Sequence, residues 1–161
     1  MSAESPAATA ISSTTYRRQP ELTDRICKGS AGWLADAYLQ AGRLEDAHTA
    51  AGDSLTLARA NLERGFEGIA LRLLGEIASR GDAPSLQRAE DQLRQALAIA
   101  EELGMRPLQA HTHLSLGKLY RRAGRPHEAR AELNVAIDLY LSMEMTHWVP
   151  EAEAELAALE A

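Results

Sequence analysis

Residues 116–129 read Leu-Gly-Lys-Leu-Tyr-Arg-Arg-Ala-Gly-Arg-Pro-His-Glu-Ala, and the same skeleton occurs twice more in the chain. Leu34-Ala35-x-x-Tyr38 leads to Gly42 and Ala47; Leu74-Gly75-x-x-Ala78 leads to Gly81 and Ala89; Leu116-Gly117-x-x-Tyr120 leads to Gly124 and Ala129. The small residue recurs at 35, 75 and 117, and the later alanine at 47, 89 and 129. A repeat of that period, written in helix formers, predicts a stack of helical hairpins in which each unit buries the apolar face of the next.

The small residues explain themselves physically. Two antiparallel helices approach closely only where short side chains meet, which places Ala35, Gly75 and Gly117 on the first helix of each pair and Ala47, Ala89 and Ala129 on the second. Leu55, Leu97 and Ile137, then Leu57, Ile99 and Leu139, recur at equivalent points of the second helices. The expected fold is all-α, a right-handed solenoid of about three helix pairs.

Composition agrees. The 161 residues are 45% hydrophobic, enough for one domain with a continuous core, and Ala, Leu, Glu and Arg outnumber β-branched residues. The net charge of −6 argues against nucleic-acid binding, which needs a basic face to displace counterions from phosphates. Cys27 is the single cysteine, so no intramolecular disulfide forms. No apolar run long enough to span a bilayer and no secretory leader is present, so a cytosolic protein without membrane contact is expected.

Along the chain, residues 1–20 lack a helical apolar period and predict a disordered tail; Pro20 to Cys27 suggests a short helix. Residues 21–145 hold the repeats. Leu34, Tyr38 and Leu39 line a helix that stops at Gly42, and Leu44 opens a longer one to about Glu63. Residues 81–85 carry a short insertion, expected in a surface loop, and Gly104 and Gly124 end helices ahead of Pro107 and Pro126. Residues 146–161 predict a capping helix with Thr146 as its N-cap, Pro150 in its first turn, Val149, Ala152, Leu156 and Leu159 on one face, and glutamates on solvated faces.

On these residues the chain resembles tetratricopeptide repeats, in a long variant whose period of about 40–42 residues exceeds the family's usual length of about 34 residues. Stretches such as AYLQAGRLEDA, GIALRLLGEIASRGD and SMEMTHWVPEAEAEL are also similar to the C-terminal repeats of bacterial multidomain nucleotide-cyclase and ATPase signalling proteins. No G-x-x-x-x-G-K-[ST] phosphate loop accompanies them, so neither catalytic activity carries over.

The resemblance implies a non-catalytic protein-interaction module whose first helices line a groove. Counting from the small residue puts Trp33, Asp36 and Gln40, then Arg72, Glu76 and Arg80, then Lys118, Arg121 and Arg122 there. Converging cations suit an anionic protein or peptide partner through charge-assisted bonds. His111 and His113 do not suit a metal, since an i, i+2 spacing on a helix points two side chains apart; His113 instead predicts a partly buried, satisfied histidine. No catalytic residue, cofactor or metal is expected. The alternatives are a self-association module, joined through the uncovered face of the first pair, and a shortened relative of a cyclase-type regulator.

Overall fold

The computed structural model describes residues 32–80 and 83–160. The tail, the helix expected before Cys27, and Cys27 itself lie outside these residues. A helical segment over 32–40 (α1) is followed by α2 (Leu44–Ala60), α3 (Arg64–Ala78), α4 (Ala83–Glu102), α5 (Arg106–Arg122) and α6 (Pro126–Ser142). A 3-10 turn, Thr146–Trp148, leads into α7 (Val149–Ala157). Among the described residues there is no strand. Consecutive helices pack as hairpins, so the molecule is an all-α solenoid of the expected kind with a C-terminal helix.

One backbone device makes most of the reversals. Gly42, Leu62, Gly104, Gly124 and Glu144 all have positive φ, between 57° and 74°. At each, the following residue's N–H reaches back to the preceding helix: Arg43 to Tyr38, Glu63 to Ala58, Met105 to Ala100, Arg125 to Tyr120 and Met145 to Tyr140, at 2.8–2.9 Å. A left-handed residue after the helix lets these bonds satisfy carbonyls that the helix leaves open. The reversals at 104, 124 and 144 are evenly spaced, and the step from 42 to 62 is the same. Helix α2 therefore ends at Ala60 rather than near Glu63, because Leu62 takes the left-handed role that glycine fills elsewhere.

The insertion also lands differently from expectation. Ala83, Pro84 and Ser85 belong to α4, which runs 20 residues against 17 in α2 and α6. A proline in the first turn removes no helical hydrogen bond, so residues 83–85 extend the helix.

The seams are as tight as the small residues imply. Gly75 packs under Leu93 and the Ala89 carbonyl, and Gly117 under Leu133 and the Ala129 carbonyl. Ala35, Ala47, Ala89 and Ala129 are fully buried. Apolar clusters then run along the array: Leu39, Leu73 and Ile77 in the first hairpins; Leu71, Ala96 and Ile99; Leu93, Leu116 and Tyr120; and Leu133, Tyr140, Val149 and Ala152 at the C-terminal end. Helix α7 closes that last cluster with Val149 and Ala152, while Leu156 and Leu159 pack against it. Thr146 caps nothing: it opens the 3-10 turn, and no side chain caps either element.

Candidate functional site

Helices α1, α3, α5 and the C-terminal segment line three cavities whose wall residues climb together in number. The first, about 500 Å³, is bounded by Trp33 and Asp36 of α1, Phe66, Ile69 and Arg72 of α3, Pro107, Leu108 and His111 of α5, Met105, and Trp148. The second, about 420 Å³, takes Asp36, Gln40, Arg72, Glu76, His111, Ser115 and Lys118, with Trp148 and Glu151. A third, about 90 Å³, takes Glu76, Ser79, Arg80, Ser115, Lys118, Arg121, Arg122 and Glu155. The cavities follow one another from the N-terminal to the C-terminal ends of these walls as a single groove.

All nine residues placed on the groove from sequence border one of these cavities. Their charges, however, are largely matched within the chain. Arg72 donates to Glu76 at 3.0 Å, and Arg80 reaches the other oxygen of the same carboxylate at 3.6 Å while donating to the Leu39 carbonyl. Lys118 pairs with Glu151, and Arg121 donates to Glu155 at 2.7 Å. Arg122 donates to the Ser79 carbonyl at 2.9 Å and pairs with no carboxylate among the described residues. Glu151 and Glu155, expected on solvated faces, are therefore part of the groove wall. Their partners sit 33 and 34 positions earlier, a distance that one helix's periodicity cannot register.

Sequence reading also missed the hub between the first two cavities. His111 shares a 2.8 Å hydrogen bond with the Tyr140 hydroxyl and stands edge-on to the Trp148 ring, with centroids 4.8 Å apart. Burial, reinforced by the nearby Arg72 cation, lowers its pKa to about 4, so the imidazole is neutral at physiological pH. Burial likewise pushes the Tyr140 hydroxyl well above the usual tyrosine value. His113 makes a separate contact: its Nδ1 lies 2.6 Å from Glu132, as a partly buried, satisfied residue. Among the described residues no three His, Cys, Asp or Glu side chains gather as a metal set.

Residues 85–142, from the first turn of α4 to the end of α6, match the family model for the tetratricopeptide repeat. A search of curated proteins finds no match to the chain. Tetratricopeptide repeats generally mediate protein–protein interaction and are typically a non-catalytic fold. No helix among the described residues is long and apolar enough to cross a membrane.

Proposed function

We propose that the chain is a non-catalytic interaction module that holds a peptide or helix of a partner protein in the groove between α1, α3, α5 and α7. The observation that carries the reading is the continuity of the three cavities along these helices, a trough for an extended ligand rather than a closed pocket for a metabolite. The acidic part of that ligand meets Arg80 and Arg122. Arg122 pairs with no carboxylate among the described residues and Arg80 shares the Glu76 carboxylate with Arg72, so both keep guanidinium N–H groups to give, whereas Lys118 and Arg121 are matched one to one by α7. Similarity of the repeat wording to cyclase-type signalling proteins supports a cytosolic signalling or transcriptional component as the partner.

The test is selection of a random dodecapeptide display library on the folded chain. Enriched peptides are acidic and lose at least tenfold in affinity against Arg80→Gln with Arg122→Gln, variants whose helicity is checked by circular dichroism. Affinity unchanged by that pair removes the groove reading.

A second reading has its own observation: Trp33 and Leu34 of α1 and Leu44 of α2 are exposed on the first hairpin, Trp33 to 81%. Such a patch favours self-association. Sedimentation mass that rises with concentration, and falls back in Leu34→Glu, marks that alternative.

A further inference from the structure

The groove is not uniform along its length. Its wall at the N-terminal ends of the helices is mostly apolar, built from Trp33, Phe66, Ile69, Met105, Leu108 and Trp148. Toward the C-terminal ends it carries four cations, Arg80, Lys118, Arg121 and Arg122, against the two carboxylates Glu76 and Glu155. Between these ends stands Asp36, half-buried, bordering both larger cavities and without an ion partner among the described residues. Asp36 disfavours an acidic ligand group beside it, and the four cations of the far end favour one.

We infer that the partner segment is anchored by a bulky apolar side chain seated between Trp33, Phe66, Met105 and Trp148, with its acidic residues displaced toward Arg80 and Arg122. This deepens the groove reading and rests on it. The anchor supplies the affinity, because the cleft offers apolar surface while most cations are already neutralised by Glu76, Glu151 and Glu155. The charges supply orientation. Leu108 and Arg122 mark the two subsites on α5, and Ile69 and Arg80 mark them on α3 and just beyond its end. At about 1.5 Å of helix rise per residue these pairs lie roughly 16–21 Å apart. An extended peptide rising about 3.3 Å per residue therefore places anchor and acid about five to six positions apart.

The chain reports this occupancy itself, since its two tryptophans, Trp33 and Trp148, both border the apolar cleft. The experiment uses dodecapeptides enriched from the random library, titrated into the full chain and followed by tryptophan emission. Peptides carrying an aromatic or large aliphatic residue about five to six positions from an acid shift the emission to the blue. They lose at least tenfold in affinity when their anchor is replaced by Ala, and again in Phe66→Ala, at a position 40% exposed.

Enrichment of acidic peptides with no apolar anchor, still sensitive to Arg80→Gln with Arg122→Gln, overturns the anchor and leaves the groove. Peptides indifferent to both sets of substitutions, or no enrichment at all, overturn both. A blue shift that grows with protein concentration in the absence of peptide assigns the cleft to a second copy. A red shift of the ligand-free chain on Ile26→Asp, within the short helix expected from Pro20 to Cys27, assigns it to the chain's own N-terminal segment. Either result also overturns the proposal.

Discussion

A Cβ placed on Gly117 would stand 2.6 Å from both Cγ and Cδ2 of Leu133, closer than side chains pack. Gly75 holds the same relation to Leu93, at 2.7 Å from its Cγ. At the equivalent places of the first hairpin the pair is Ala35 and Ala51, both fully buried in one cluster. The seam keeps its spacing by trading size across it, glycine against leucine in two repeats and alanine against alanine in the third.

Gly117→Ala is accordingly expected to cost about 1–3 kcal/mol, since Leu133 is fully buried and has no free direction in which to retreat. Leu133→Ala alone costs about 2–5 kcal/mol through the cavity it leaves. The double variant is less destabilised than the sum, because the new methyl fills part of that cavity. Urea unfolding of the three variants measures the coupling, and strict additivity contradicts it.

Leu62→Gly stabilises the fold. Leucine at φ 58° carries the left-handed penalty of about 1–2 kcal/mol, and its side chain, 85% exposed, gains little by burial in return. The greater entropy of glycine in the unfolded chain takes back part of the gain, leaving about 0.5–1 kcal/mol. Gly104→Ala, at φ 65°, moves the unfolding midpoint the opposite way.

Tyr120→Phe costs about 1–2 kcal/mol. The buried Tyr120 hydroxyl donates to Glu90 at 2.9 Å and accepts from Arg94 at 2.7 Å, while the Arg125 guanidinium lies 4.3 Å from the ring centroid and donates to Glu90. Burial and the Glu90 carboxylate together raise the hydroxyl's pKa to about 12. In the first hairpin Arg43 sits 4.5 Å over the ring of Tyr38, yet its guanidinium pairs with Asp46 rather than with a carboxylate shared by the tyrosine. Tyr38→Phe is thus expected to cost less, and equal losses at the two positions would refute the bridge's role.

Stability falls as pH drops from about 6.5 through 4, in part because of His111. Its folded-state pKa of about 4 lies below the ordinary 6.5, so the unfolded chain binds the proton first and acid draws the equilibrium toward it. Above pH 6.5 the contribution is complete. The groups that set it are the surrounding burial and the Arg72 cation, opposed by Glu76 and Glu151. Denaturation across this window should be steeper for the parent chain than for His111→Gln; identical slopes would exclude His111 as the source.

Much of the architecture is legible in residues 34–47, 74–89 and 116–129, because a glycine or alanine at a close helix crossing admits few substitutes and repeats its signature. The reversals at Gly42, Gly104 and Gly124 are legible for the same reason, whereas those at Leu62 and Glu144 are hidden by side chains that do not advertise a left-handed backbone. The groove is legible only in part. Which helix faces it follows from the period, so Arg72, Lys118 and Asp36 are placed. Glu76 neutralises Arg72 at a spacing that one helix registers, but what neutralises Lys118 and Arg121 comes from α7, and neither the Lys118–Glu151 pair nor the His111–Tyr140 bond is encoded at any spacing within a single helix.

The even interval between left-handed turns has an evolutionary corollary. A splice joining one such turn to the next equivalent one excises a hairpin while every remaining crossing still meets a partner of matching shape. Arrays of this sort can lengthen or shorten by recombination without redesigning their interior, and each added cassette extends the trough by another pair of walls.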